Sequence, residues 1–285
     1  MITTPFAYAV PAGAAQVVEL LAANPGARLL AGGQSLLVDL QTGADRAALL
    51  IDIGRLPGLA RVTTMPGGGL RIGALTLLAD LAGDPRVRAA HPALAQAAAA
   101  NGDPQVRNRG TAAGNLAAPG RPTDLAVAAI AAGAQVAVRD AAGARTVPAA
   151  DFARMVADTS ARRLLVTHLE VPAPDRGASS AFEKIPVRAT RYPLCAVAVH
   201  GRRHGEGTVF GLRIAACGST ATALRLAEAE AALEGSAGTV QQIRAAMRAL
   251  PADTFVARPG ASAEYLAHLT AVLTARALNR LPTAT

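Results

Sequence analysis

The sequence has no tryptophan, only two cysteines among its 285 residues, and 3% aromatic residues. Cys195 and Cys217 lie in separate strand-like segments and form no CxxC pair. This chain alone therefore lacks the ligand set of a conventional iron–sulfur or zinc site, and two buried, reduced thiols are the simpler interpretation. With so few rings, the core must depend on alanine and the branched aliphatic residues.

The sequence also lacks long apolar runs and recognisable targeting signals. Charged residues interrupt every apolar stretch before it reaches the length of a membrane-spanning helix, so no membrane span is expected. The N-terminal segment, MITTPFAYAVPAGAAQ, has no basic region ahead of an apolar one, as a signal peptide would. The sequence therefore predicts a cytoplasmic protein.

The charge is strongly positive, but it is dispersed. The formal net charge is +8 and the sequence pI is about 10.8, and every basic residue except Lys184 is an arginine. The largest local groups are Arg107 with Arg109 and Arg202 with Arg203, and few aromatic side chains accompany them for base stacking. Nucleic acid is therefore not expected as a partner.

Periodicity and turn residues divide the chain into three units, at 1–57, 58–175 and 176–285. The first two read as mixed strands and helices, and the prolines and glycine of residues 172–177 indicate a linker before the third. In the third unit, strand-like runs at Ser179–Ile185, Leu194–His200 and Thr208–Cys217 precede helical patterns at Ala221–Leu233, Thr239–Leu250 and Ser262–Leu278. This order predicts a three-stranded antiparallel sheet covered by helices.

Two segments rich in small residues are the main functional signal. They are LLAGGQSLL at Leu29–Leu37 and NGDPQVRNRGTAAGNLAAPGRPTD at Asn101–Asp124. Neither is a GxGxxG fingerprint or a P-loop, and the first alone is also compatible with an ordinary turn. Together they offer successive backbone N–H groups, with Thr111 and Asn115 as additional donors, and such groups can form an anion-binding concavity. The sequence predicts that both loops hold the diphosphate of one dinucleotide.

These motifs resemble a known family. Ala31–Ser35 is similar to an AGG-x-S loop, Thr111–Asn115 to a T-I-G-G-N loop, and DPQVRNRG at Asp103–Gly110 and FEKIPVRATRYP at Phe182–Pro193 also match. The family is the FAD-binding subunits of the molybdenum hydroxylases, the group of the carbon monoxide dehydrogenase medium subunit and xanthine dehydrogenase. The resemblance implies an α+β chain. It would have a two-subdomain FAD-binding fold of the vanillyl-alcohol-oxidase type and a C-terminal three-stranded antiparallel sheet with helices.

The resemblance also implies a non-covalent FAD site, and no catalytic acid–base pair or metal ligand is expected in the chain. The residues assigned to the FAD site are Leu30, Ala31, Gly32, Gly33, Gln34, Ser35, Leu36, Gly102, Val106, Gly110, Thr111, Gly114, Asn115, Asp124, His168, Lys184 and Tyr192.

For four of these residues, the same resemblance also implies an individual role. Asp124 would serve the ribose or ribityl hydroxyls, although a helix N-cap is equally natural for an aspartate. Lys184, the only lysine, would lie beside the flavin, or it is a surface lysine. Tyr192 would cover the isoalloxazine face. His168 lies on a strand that the family brings near the ring, or it is simply structural.

The implied function is electron transfer within a molybdenum hydroxylase complex. Iron–sulfur and molybdopterin centres would lie on partner subunits, and FAD would pass electrons to an external acceptor. A self-sufficient flavin oxidase or dehydrogenase is the first alternative. A scaffold subunit without flavin is the second, because Ala112 and Ala113 replace the Ile-Gly of the family loop, and alanine is costly where φ must be positive.

Overall fold

The computed structural model describes residues 4–188, 191–205 and 207–284, so Ala189 and Thr190 of the FEKIPVRATRYP motif lie outside the described residues. Its first sheet is parallel, with strand order β1-β3-β2. The elements of this part are β1 (Ala7–Ala9), α1 (Ala14–Ala23), β2 (Ala27–Leu30), α2 (Leu36–Thr42) and β3 (Leu49–Asp52). Val17 and Leu21, one helical turn apart on α1, are buried in the core of this part.

The second sheet is antiparallel, with strand order β4-β5-β8-β6-β7. Its strands are β4 (Val62–Thr64), β5 (Leu70–Gly73), β6 (Gln135–Asp140), β7 (Gly143–Pro148) and β8 (Leu165–Val171). Between β5 and β6 lie α3 (Leu78–Gly83), α4 (Pro85–Ala90), α5 (Pro92–Ala100), α6 (Pro104–Arg107), α7 (Ala112–Leu116) and α8 (Asp124–Ala131). Helix α9 (Ala149–Ala157) and a 3₁₀ turn (Ser160–Arg163) lie between β7 and β8. The second small-residue segment therefore folds into α6 and α7 rather than one open loop.

The third sheet corrects one prediction. Its strands are β9 (Ser179–Pro186), β10 (Pro193–His204), β11 (Val209–Cys217), β12 (Leu224–Arg225) and β13 (Thr283–Ala284), and its helices are α10 (Ala227–Leu233), α11 (Val240–Arg248) and α12 (Ala263–Asn279). Strands β9 to β12 form an antiparallel sheet of four strands, and β13 pairs parallel with the end of β10. The predicted three-stranded sheet is therefore wrong by one strand.

The additional strand lies where a helix was predicted from Ala221. Ser219 and Thr220 are poor helix formers, and they follow Gly218, whose φ is +80°. The chain turns there and runs back along β11, pairing Leu224 with Ala216, before the helix begins at Ala227. Apolar spacing alone does not distinguish this short strand from the first turn of a helix.

Helix α8 can lie at the centre of the molecule because its alanine side chains are small. Every residue of α8 is at most 5% exposed, and the helix packs against α5 and against β10 and β11 of the third sheet. One apolar cluster contains side chains of the second and third sheets, including Ile72, Ala198 and Ala215. The fold is thus α+β, as predicted, and no helix in its described part is long and apolar enough to cross a bilayer.

Candidate functional site

A cavity of about 580 Å³ collects residues from all three parts of the chain. This volume lies within the range of pockets that bind small molecules and cofactors. Most of the residues predicted from the sequence line it, namely Ala31, Gly32, Gly33, Gln34, Ser35, Leu36, Gly102, Val106, Gly110, Thr111, Gly114, Asn115 and Tyr192. The two small-residue segments, far apart in sequence, therefore face one space.

The two segments approach each other backbone to backbone. A Cβ atom added to Gly32 would lie 2.0 Å from the carbonyl oxygen of Arg109, so no other residue fits there without moving one of the loops. Gly33 has φ of +75°, a conformation that favours glycine. Glycine is thus required in the first loop both for the close contact and for the turn that leads into α2.

The first loop presents a row of unused donors. Among the described residues, none accepts a hydrogen bond from the backbone N–H groups of Gly32, Gly33, Gln34 or Ser35. Successive free N–H groups in a turn form a site for an anion such as a diphosphate. The donor set therefore fits the phosphates of a dinucleotide.

The second loop is held more rigidly by its own hydrogen bonds. The Thr111 hydroxyl accepts from the Gly114 N–H at 3.1 Å, and the Asn115 Oδ1 accepts from the Leu125 N–H at 3.1 Å. The N–H groups of Ala112 and Ala113 donate to backbone carbonyls. The donors that remain in this loop are the Thr111 N–H and hydroxyl and the Asn115 side-chain amide. Ala113 is not among the described residues with positive φ, so alanine is compatible with this position.

An arginine that was not predicted from the sequence joins the three parts of the chain at the cavity. The Arg121 guanidinium donates to both carboxylate oxygens of Asp39 on α2, with the Nη1–Oδ2 distance at 2.7 Å. Its Cζ atom also lies over the Tyr192 ring, 5.7 Å from the centroid, and the Tyr192 hydroxyl is 3.5 Å from that of Ser35. Hydrogen bonding to Asp39 raises the pKa of Arg121. Arginines are scattered along this sequence, so no local signal distinguished this one.

A second charged group lines the same cavity. Arg28 donates to both oxygens of Asp45 at 3.0 and 3.1 Å, and Arg162 lies 3.7 Å from the same carboxylate. Burial works to raise the pKa of Asp45, but the hydrogen bonds from Arg28 and the backbone of Arg46 lower it overall. Sequence analysis also missed the apolar lining of Leu29, Ile53, Leu75, Leu78, Val156, Leu164 and Val166, which can accept a flat ring.

Four predicted site residues do not line the cavity: Leu30, Asp124, His168 and Lys184. Leu30 ends β2, and its neighbours Leu29 and Ala31 line the cavity instead, as alternation along a strand requires. Asp124 and Lys184 are buried against each other, with the Lys184 Nζ 2.8 Å from the Asp124 Oδ2. The alternative that Lys184 is a surface lysine is therefore wrong.

His168 is turned away by an irregularity in β8. The pairing register of β6 and β8 shifts so that Ala137 pairs with His168 and Val138 with Val166, which leaves Thr167 as the extra residue. Such a bulge inverts the alternation of side chains beyond it. Val166 therefore lines the cavity, whereas the His168 ring contacts the Thr167 hydroxyl at 3.0 Å and Glu170 at 3.1 Å.

Asp124 is the first residue of α8 and not its N-cap, which is Thr123. Its Oδ2 accepts from Lys184 and, at 3.0 Å, from the Asn101 side-chain amide, while its buried Oδ1 has no partner among the described residues. Burial raises the pKa of Asp124 to about 6, against the lowering effects of Lys184 and Asn101. Asn101 itself lines the cavity, so the ion pair of Asp124 and Lys184 is connected to the cavity through Asn101.

The fold and the cavity together define a class of protein. Two small-residue segments from different parts of the chain line one cavity, which offers free amide donors and an apolar lining. This arrangement is that of a dinucleotide-binding flavoprotein.

Comparison with known proteins identifies the family. Residues 4–174 match the FAD binding domain in molybdopterin dehydrogenase, and residues 180–281 match the CO dehydrogenase flavoprotein C-terminal domain. The carbon monoxide dehydrogenase medium chain of Hydrogenophaga pseudoflava is 34% identical over 86% of each chain. The putative xanthine dehydrogenase FAD-binding subunit of Escherichia coli is 30% identical over 93% of this chain and 92% of its own.

Comparison with solved structures identifies the same family. A chain of the Hydrogenophaga pseudoflava carbon monoxide dehydrogenase superposes with a TM-score of 0.89 at 35% identity, covering 99% of this chain and 98% of that one. A chain of quinoline 2-oxidoreductase from Pseudomonas putida 86 gives 0.87 at 26% identity, covering 99% and 98%. The protein belongs to the FAD-binding flavoprotein family of the molybdenum hydroxylases. It is an oxidoreductase subunit whose cofactor is FAD.

Proposed function

We propose that the chain carries electrons through FAD within a molybdenum hydroxylase complex, from iron–sulfur clusters on one partner subunit to an external acceptor. The molybdopterin centre would lie on another partner. The observation that carries the proposal is the cavity in which the free N–H groups of Gly32–Ser35 face Thr111 and Asn115. The subunit relatives of similar length support the partner assignment.

Different residues of the chain would bind different parts of FAD. The first loop and the remaining donors of Thr111 and Asn115 would bind the diphosphate, and the apolar lining would exclude water from the rings. Tyr192, held by Arg121, would limit the movement of the isoalloxazine ring. When bound, FAD supplies the redox chemistry of the subunit. The protein contributes position, charge and exclusion of solvent.

The division of the chain at residues 57 and 175, and a cytoplasmic location, are part of the same proposal. Each proposed segment, 1–57, 58–175 and 176–285, contains one sheet.

The sequence has two cysteines, and both are buried. An iron–sulfur cluster is typically held by about four cysteine thiolates, more than this sequence has, which is why we place the clusters on a partner.

Purification of the chain with its partners tests this function. The tagged chain should retain FAD and co-purify with subunits that contain iron and molybdenum. After rapid mixing with chemically reduced partner subunits, its flavin absorbance should bleach and then recover when an acceptor is added. A chain that takes up no FAD would contradict the proposal, and so would an isolated chain that oxidises a substrate without any partner.

A further inference from the structure

The only lysine of the chain lies in a buried ion pair beside the cofactor cavity. The Lys184 side chain is 6% exposed and that of Asp124 is 2% exposed. Lys184 projects from β9 of the third sheet and reaches across to Asp124 on α8. It also donates to the Ala100 carbonyl at 3.3 Å, at the end of α5. The lysine thus connects the C-terminal sheet to the two helices behind the cavity wall.

Asn101 carries this connection into the wall. Its side-chain amide donates to the same Asp124 oxygen that binds Lys184, and the residue itself lines the cavity with Gly102. From the other side, the Arg107 guanidinium donates to the carbonyls of Asn101 and Gly102, both at 3.2 Å. Gly102 has φ of +53°. The path of the chain here therefore depends on hydrogen bonds from both sides.

The groups that face Asp124 come from three elements. Lys184 faces it from β9 and Asn101 from the end of α5, and the Cys217 thiol on β11 lies near enough to interact electrostatically with it. Burial raises the pKa of Cys217 well above its usual value, so this thiol is neutral at physiological pH. Lys184 is consequently the charge that compensates the buried carboxylate.

We propose that Lys184 is a positioning residue for the cofactor site: through its buried ion pair it fixes the Asp124 carboxylate, and Asp124 holds Asn101, and with it the adjoining Gly102, in the shape that accepts the flavin nucleotide. This inference rests on the proposed function, since it concerns the same cavity. A neutral carboxyl would bind the Asn101 amide more weakly and leave the buried ammonium uncompensated.

The affinity for FAD should then depend on pH with a defined sign. The pKa of Asp124 is about 6, so the carboxylate predominates above this pH and is lost as the pH falls through it. If the site requires the carboxylate, the Kd for FAD rises as the pH decreases below about 6, by no more than about tenfold per pH unit for one proton.

Titration of the full chain with FAD between pH 5 and pH 8, followed by flavin fluorescence, tests the proposal. Lys184→Met removes the charge that lowers the pKa of Asp124, so its Kd should rise at least about fivefold at pH 7.5 and its pH midpoint should move upward. Asn101→Ala should bind weakly at every pH and lose the pH dependence. Asp124→Asn with Lys184→Met replaces the ion pair by neutral groups and should give a flat profile.

Arg280→Met is the matched control. It removes an ion pair with Glu183, the neighbour of Lys184 on β9, away from the cavity, so its Kd and pH profile should equal those of the wild type. Circular dichroism establishes that each variant is folded, and the double variant decides the question if Lys184→Met does not fold. A wild-type profile in folded Lys184→Met, or a retained pH dependence in the double variant, would overturn the proposal. Failure of the proposed function differs, since the wild type would then bind no FAD at any pH.

Discussion

Arg121 and Asp39 form a two-pronged ion pair between the last residues of the second small-residue segment and helix α2, which begins at the end of the first. Both side chains are largely buried, at 24% and 12% exposure. The guanidinium face is at the same time in contact with the ring of Tyr192 from the third part of the chain. One side chain therefore joins all three parts around the cavity.

Replacement of Arg121 by lysine should weaken FAD binding although the charge is kept. An ammonium cannot donate in parallel to both Asp39 oxygens, and it makes a poorer platform for Tyr192. The Kd for FAD should rise about tenfold, equivalent to about 1.4 kcal/mol, as measured by fluorescence titration. Arg145→Lys, which alters the exposed pair with Asp140 on β6, should leave the Kd unchanged. Equal Kd values for both variants would contradict this role of Arg121.

Gly32→Ala should damage both the fold and the site. The added methyl group would lie 2.0 Å from the Arg109 carbonyl oxygen, and because that atom belongs to the backbone, the two loops must separate. A loss of about 1–3 kcal/mol in the free energy of unfolding is expected from such overpacking, together with weaker binding of FAD. Urea denaturation and FAD titration measure the two effects.

Gly83→Ala is the comparison for this substitution. Gly83 ends α3 with no atom within 4 Å of the added methyl group, and alanine favours a helix over glycine by about 0.5–1 kcal/mol. This variant should be as stable as the wild type or more so, with unchanged FAD affinity. If Gly32→Ala behaved in the same way, the close contact of the two loops would not exist in solution.

The sequence was sufficient to predict the two loops because their runs of small residues are visible in the sequence itself. Small residues are needed wherever two backbones meet or a turn takes positive φ, and Gly32 and Gly33 show both conditions. The prediction for Tyr192, that it belongs to the site, came from the family motif and agrees with its position at the cavity. Whether these residues contact FAD stays a prediction.

The residues that sequence analysis misplaced depend on events elsewhere in the chain. A single extra residue at Thr167 turns His168 to the other face of β8. Lys184 lies behind the wall because β9 runs alongside α5 and brings the lysine to the Ala100 carbonyl at the end of that helix. Arg121 was missed since its partners, Asp39 and Tyr192, are far from it in sequence. Pairings of this kind follow from tertiary packing and have no local signature.

His200 should make the protein less stable at acidic pH. It is 1% exposed on β10, opposite Arg213 and near the His91 ring, and neither of its ring nitrogens has a partner among the described residues. Burial and the nearby charges of Arg213 and His91 lower its pKa to about 4, against a smaller opposite effect of Asp175. The unfolded chain therefore binds this proton more readily, and stability is lost as the pH falls from about 6.5 towards 4.

His200→Phe removes the titrating ring nitrogens and should reduce this loss by about 2 kcal/mol between pH 7 and pH 5. The difference between variant and wild type must be compared, because the raised pKa of Asp124 has the opposite effect and stabilises the fold as the pH falls through about 6. Denaturant titrations at both pH values provide the measurement. His268→Gln, at an exposed position on α12, should behave as the wild type, and a similar result for His200→Phe would contradict the assignment.

Ala113→Gly should restore the family's glycine without improving the site. Ala113 lies in α7 with φ that is not positive, and its N–H already donates to the Ala74 carbonyl. Glycine should therefore cost about 0.5–1 kcal/mol of stability, with a Kd for FAD within about twofold of the wild type. Ala126→Gly, in the buried helix α8 away from the cavity, should lose stability similarly and leave the Kd unchanged. A gain of tenfold or more in FAD affinity for Ala113→Gly alone would instead show that alanine weakens this site, which is what a subunit losing its flavin would display.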